Sequence, residues 1–443
     1  RMTNVSFDLT EVTVAESSEK TNLLLASGDY PELFFKNGFD PGRYAEEGIF
    51  IPLEDLIREY APNLTALLDE KDAWDYLAAD DGHIYVMPDV RYMDVKDTWL
   101  LSCNEVWLDN LGLDVPTTID EWHDVLTAFK EQDANGNGDP DDEIPLVCCS
   151  DAFTISSLFA YFCTDGVLYI DDYFCMNGNE ISFYPTSEEF KEVLATFTQW
   201  YEEGLIDNAC FTQGYQEYMA IGKSEDQYGF IWGDKTAAVG DRCDEYIYID
   251  PIQGSPGLAA NNGLVKSGFG VTDKCENPEV AVAWCDNFYN VDVQVMCARG
   301  QEGVDWEWDE DGYIVKLDTG ASVVGGTTNS PGISDTRYQN LYRRRTSTLT
   351  GEALEGADQF VERTGVVWPT SRWGEHQDER TQFSEMWGNL IPAVKNYVAT
   401  VMTGEKSLDD TWDEFQAELE DMGAQEFVEL YVIALGGDYV AAE

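Results

Sequence analysis

The chain has 443 residues, 44% of them hydrophobic and 25% charged, which is too long for one ordinary domain and too apolar for a disordered or fibrous chain. Its 85 acidic residues against 26 Lys and Arg leave a formal charge of −59. A polyanion of that size repels phosphate backbones and anionic bilayers, which argues against nucleic-acid partners and acidic membrane surfaces; no apolar run reaches the ~18 residues needed to span a bilayer.

Along the chain, Val5, Phe7 and Leu9 alternate with polar neighbours as a strand does. Short apolar runs at residues 33–35, 85–87, 99–101, 144–147, 228–232 and 269–271 are further strand candidates, and Cys148 and Cys149 read as core strand residues. Helix signals are sharper. Thr118 and Glu121 have capping-box spacing ahead of the stripe Trp122, Val125, Leu126 and Phe129. Thr186 and Glu189 repeat the box before Phe190, Val193, Leu194, Phe197 and Tyr201, with Gly204 as the stop. Asn277-Pro278 starts another helix, and Ser407 caps one whose apolar face is Leu408, Trp412, Phe415 and Leu419. Strands alternating with helices predict an α/β protein with largely parallel sheets. No Pro/Gly/Ser linker marks a boundary, so interwoven lobes are expected.

The ten cysteines are scattered with no CxxC pair, and a core this large does without staples, so mostly buried free thiols are expected. The most specific local chemistry lies at residues 133–143. Asp133, Asn135 and Asn137 occupy positions 1, 3 and 5 of a tight loop, Gly138 permits the sharp turn, and Asp139 offers its carbonyl. Converging oxygens of this kind suit calcium, as in the first half of an EF-hand. Position 12, where an EF-hand closes with Glu, is Ile144 here, so the closing carboxylate comes from Asp141, Asp142 or Glu143. The ion reads as a structural clip.

Signals of catalysis are weak: there is no GxSxG elbow, Rossmann glycine motif or Walker loop, and the three histidines form no zinc motif. Aromatic residues stand out instead, with 13 Trp and 23 Tyr. Several sit in polar, loop-like surroundings: Tyr92 beside Arg91, Trp232 before Asp234, Trp306 in a hairpin-like stretch, and Trp368 and Trp373 around Arg372. Flat rings stack on the C–H faces of sugars while neighbouring carboxylates and guanidinium groups bond hydroxyls. These eight residues are the candidate ligand contacts. A secreted glycoside hydrolase is the alternative reading, since 85 acids contain many possible catalytic pairs.

An ordered series of segments resembles the extracellular solute-binding proteins of carbohydrate ABC importers, in particular the calcium-loop lipoprotein branch that includes alginate-oligosaccharide binders. They are residues 25–33 (LASGDYPEL), 48–57 (GIFIPLEDLI), 81–88 (DGHIYVMP), 107–113 (WLDNLGL) with 116–121 (PTTIDE), the acidic loop ending in Asp142-Glu143-Ile144-Pro145-Leu146, and residues 300–306 and 402–408. The resemblance implies an α/β, two-lobed periplasmic-binding-protein-like fold (type II) whose lobes are joined by a three-crossover hinge with a ligand cleft between them. The expected crossovers lie at 101–105, 259–264 and 300–318, which puts 1–103 plus 262–305 in one lobe and 104–261 plus 306–443 in the other. It implies a non-enzymatic, monomeric protein that captures an oligosaccharide, closes around it and delivers it to membrane permease subunits, with a structural Ca2+. It also implies a cell-surface lipoprotein of a Gram-positive-type bacterium, or a periplasmic protein. The family begins with a strand and helix that this chain lacks, so either the first lobe is missing an edge or the sequence has lost its beginning, lipidated cysteine included.

Overall fold

The computed structural model describes residues 5–10, 12, 14–35, 48–70, 73–79, 81–90, 100–151, 154–233, 235–260, 264–290, 293, 301–308, 314–317, 365–369, 371–373 and 376–442. The chain falls into two units, Arg1–Met93 with Gly263–Thr346 and Asp94–Asn262 with Ser347–Glu443. Each draws on two separate stretches of sequence.

In the first unit, strand Leu264–Val271 lies between Leu33–Phe35 and Val86–Val90, antiparallel to both. A Cβ added at Gly268 would sit 1.9 Å from the Met87 carbonyl oxygen, so the strands approach this closely only where residue 268 has no side chain. Ile57, Leu64, Met87, Phe269 and Val282, from the sheet and from helices Glu54–Tyr60, Pro62–Glu70 and Pro278–Asp286, are fully buried together with Leu53, the residue before the first of these helices. Helix Pro62–Glu70 follows Ala61, which has no side-chain acceptor. Its orphan N–H groups are met from elsewhere: the Asp286 carboxylate accepts from Asn63 N at 3.1 Å and Leu64 N at 2.8 Å. Strand Trp306–Trp308 pairs antiparallel with Ile314–Lys316.

The second unit holds two four-stranded sheets. One has the order Ile144–Leu146, Tyr228–Trp232, Leu101–Asn104, Tyr246–Tyr248, and its Tyr228–Trp232 strand is buried at every position. Helix Ile119–Glu131 carries the expected capping box at Thr118 and Glu121, and its Trp122 and Phe129 pack on Phe230 with ring centroids 4.5 and 5.7 Å apart. The other sheet has the order Val440–Ala441, Glu180–Phe183, Phe174–Asn177, Val167–Tyr169. Helices Glu188–Glu202, Gln377–Met402, Leu408–Asp421 and Ala424–Leu435 complete this unit's core, and Leu258–Ala260 pairs with Gly365–Val367.

Several expectations change. Among the described strands the sheets are mixed and mostly antiparallel, with parallel pairing in 144–146/228–230, 258–260/365–367 and 440–441/180–181. Hairpins and strands returning from distant sequence supply most neighbours, so helix-strand alternation does not translate into parallel crossovers. Residues 5–10 form no strand; Phe7 instead packs against Trp284 at 4.5 Å between centroids. The helix expected to begin at Thr186 is capped by Ser187, which accepts from Phe190 N at 3.0 Å, and Trp200 rather than Tyr201 completes its buried face. Nine described cysteines are thiols, eight of them buried, Cys148 and Cys149 included; those two follow strand Ile144–Leu146 without belonging to it.

Candidate functional site

The 133–143 loop winds through a series of side-chain-to-backbone bonds. Asp133 Oδ2 accepts from Gly138 N at 2.9 Å, Asn135 Oδ1 from Asn137 N at 2.9 Å, and Asn137 Oδ1 from Asp139 N at 2.7 Å. Gly138 sits at φ +95°, where a side chain would be strained. Both carboxylate oxygens of Asp142 are occupied, by Asn135 Nδ2 at 3.2 Å and Asn137 Nδ2 at 2.8 Å. Asp141 is exposed, and its N–H donates to Asp139 Oδ1 at 3.3 Å. Glu143 is the buried carboxylate of the loop, and its Oε1 accepts from Ala134 N at 2.9 Å.

Two oxygens remain. Asp133 Oδ1 and Glu143 Oε2 are buried and meet no hydrogen-bond donor. A buried anionic oxygen without a donor is costly, so these atoms fit a cation. Burial pushes the Glu143 carboxyl above the ordinary range, opposed by the N–H groups of Asn135 and Ala134 and reinforced by the charge on Asp142. Among the described residues no group of three or more His, Cys, Asp and Glu side chains comes together to hold a metal alone. Asparagine and backbone oxygens would have to complete the shell, as hard-cation loops allow.

A second candidate region is built on the hairpin Val167–Tyr169/Phe174–Asn177. Tyr169 stacks on Trp368 with centroids 5.1 Å apart and planes at 24°. Trp368 Nε1 donates to the Tyr431 hydroxyl at 2.7 Å, and the Tyr431 ring lies flat on Phe174 at 4.1 Å and 3°. At the hairpin turn Asp172 accepts from Trp387 Nε1 at 2.6 Å, while the Trp387 ring remains 40% exposed. Trp373 packs on Phe383, which stacks on Phe427 at 4.6 Å. Tyr173, in the same turn, has φ +56° without being glycine; burial and a 2.6 Å bond from its hydroxyl to Ser156 hold it there.

Of the expected ligand contacts, Trp368, Arg372 and Trp373 fall on this aromatic region; Arg372 is exposed, Trp373 half-buried and Trp368 buried. Trp232 is elsewhere, 1% exposed in the core and edge-on to Tyr161 at 5.6 Å. Trp306 is buried in the first unit's hairpin. Arg91, Tyr92 and Asp234 lie outside the described residues. Sequence reasoning missed Tyr169, Asp172, Trp387 and Tyr431. Trp387 is the one with a local signal, an indole among polar neighbours on a long helix.

Comparison with known proteins agrees with the class that fold and loop suggest. The fructooligosaccharide ABC transporter substrate-binding protein FusA of Streptococcus pneumoniae serotype 4 is 28% identical, the match covering 94% of this chain and 81% of FusA. The solved structure of a FusA EF-hand mutant in complex with fructo-nystose superposes with a TM-score of 0.72 at 25% identity, over 94% of this chain and 89% of that one. An extracellular solute-binding protein from Bifidobacterium longum subsp. infantis gives 0.76 at 21% identity, covering 97% and 92%, a likeness of fold. No family model matches. The chain is similar to the solute-binding proteins of ABC importers and has the two-lobed α/β fold of that class. FusA is a relative that aligns along nearly the whole of this chain.

Proposed function

We propose that this protein captures an oligosaccharide outside the cell and hands it, unaltered, to the membrane subunits of an ABC importer. The observation that carries the reading is the match to FusA over 94% of the chain, FusA being a fructooligosaccharide-binding protein whose structure is also known with kestose. The relatives are binding proteins rather than enzymes, which favours capture over the glycoside hydrolase alternative. A relationship to lipoprotein LipO of Bacillus subtilis, 28% identical over 214 residues, supports a cell-surface location. The ligand contacts we assign are Trp368, Trp373 and Arg372, joined by Tyr169 and by the Trp387–Asp172 pair: flat rings beside groups that bond hydroxyls. Trp232 is set aside because its ring is enclosed in the core. Calcium is proposed for the 133–143 loop, held by Asp133, Asn135, Asn137, the Asp139 carbonyl and Glu143. Its role there is to neutralise the two donorless oxygens and fix the turn. Delivery works by binding-coupled closure of a monomer, which the permease reads.

Calorimetry against fructooligosaccharides of three and four units, followed by chromatography of the same mixtures, tests the reading. Saturable binding with the sugar recovered intact is expected. No heat with any oligosaccharide would overturn the ligand class, and release of shorter sugars would favour the hydrolase.

A further inference from the structure

The hairpin that carries Tyr169 and Phe174 has a neighbour that the binding function leaves unused. Cys163, the residue closing helix Ser156–Phe162, places its Sγ 3.8 Å from Sγ of Cys175 on strand Phe174–Asn177. Both side chains are buried, at 0% and 3% exposure. The packing is built around this approach. A Cβ at Gly166 would fall 2.7 Å from the Cys175 sulfur and 2.6 Å from the Met176 carbonyl oxygen, so the turn passes the thiol only as glycine. Glu189 fixes the other side: its carboxylate accepts from Thr164 N at 2.6 Å and Asp165 N at 3.3 Å, and lies 3.4 Å from Cys163 Sγ.

We propose that Cys163 and Cys175 are a disulfide-forming pair, and that oxidation ties the end of helix Ser156–Phe162 to the aromatic hairpin. The sulfurs need to close from 3.8 Å to about 2.05 Å, a movement that side-chain rotation and a small backbone adjustment supply. The oxidant is a low-molecular-weight disulfide such as oxidised glutathione. One cysteine thiolate attacks a glutathione sulfur, which expels a glutathione thiolate and leaves a mixed disulfide. The other cysteine thiolate then attacks the protein sulfur of that mixed disulfide; the Cys163–Cys175 bond forms and the second glutathione thiolate leaves. The two cysteine protons end on the two glutathione thiols, and the glutathione disulfide takes up the two electrons.

In the finished fold the hydrogen bond with Cys175, burial and the Glu189 charge together hold the Cys163 thiol well above its ordinary range, which makes it a poor nucleophile. The bond therefore forms while the hairpin is still closing onto the helix. Its consequence is mechanical. Tyr173 holds a left-handed backbone in the turn of that hairpin, and a crosslink at its base opposes the opening that would release the strain.

The test is to refold the full chain from urea with reduced and oxidised glutathione, quench with acid, alkylate without reduction and map the peptides. The expected product is a 163–175 linked peptide two hydrogens lighter than the reduced pair, with a melting temperature that drops by several degrees on adding dithiothreitol. Cys175→Ser should abolish both the linked peptide and the dithiothreitol effect. Recovery of both cysteines as alkylated thiols, or of either one bridged to a different cysteine, overturns the proposal. The mapping on the unaltered chain stands even if the variant fails to fold.

Discussion

Glu143 concentrates the chemistry of its loop. Its carboxyl is held above the ordinary carboxylate range because burial disfavours the charge. A raised acid contributes stability below its ordinary pKa and loses it as pH rises through the folded value. Without metal, the unaltered protein should therefore lose stability relative to Glu143→Gln as pH climbs through that window. Calcium requires the ionised carboxylate, so it should reverse the order. Melting curves of both proteins against pH, with and without calcium, check the sign, and calorimetry should show at least a tenfold loss of calcium affinity in Glu143→Gln. The tight turn at Asp133, Asn135 and Asn137 was legible because the residues that bond to hold it lie close together in sequence. That Glu143 is buried and Asp141 exposed was not, since it depends on which carboxylate the strand Ile144–Leu146 pulls inward. Trp373 is half-buried, and Trp373→Ala should weaken oligosaccharide binding by about 1–3 kcal/mol if its ring stacks on sugar; unchanged calorimetry would take it out of the site. Trp232 shows the limit of local reading. Its polar followers suggested a loop mouth, yet the strand it ends is enclosed by helices far away in sequence.

Caps divide the elements in the same way. Thr118 and Ser407 were readable because each serves the helix that follows it. Thr186 misled because Glu189 is taken by the turn at residues 163–165, a demand from 24 or more positions away. Asp286 is the extreme case, capping a helix more than two hundred residues earlier in the chain. Replacing Asp286 by Ala removes the acceptor of two backbone N–H groups and one of the two bonds of the part-buried Asn63 amide. We expect a loss of about 2–3 kcal/mol, read from the urea midpoint at constant slope. The sheets followed the same logic: strands at 144–146 and 228–232 were visible as apolar runs, whereas their partners were set by returning chain that no window of sequence contains.

At the scale of the molecule, a charge of −59 must be accommodated in every folded state. Self-repulsion opposes compactness and is screened by salt, with a Debye length of about 10 Å at 0.1 M. The melting temperature should therefore rise between 10 and 300 mM sodium chloride, on the order of a few degrees; a flat response would mean that the acids are already compensated locally. Chelation is a separate lever. Treatment with EDTA should lower the melting temperature of calcium-loaded protein and leave Glu143→Gln nearly unaffected, as scanning calorimetry can show.

The last helix and strand have a consequence for how the chain is made. Phe427 and Tyr431 supply the stacking partners of Phe174, and Val440–Ala441 pairs with Glu180–Ile181. A nascent polypeptide emerging from the ribosome must wait for residues beyond 423 before its second hydrophobic interior can close.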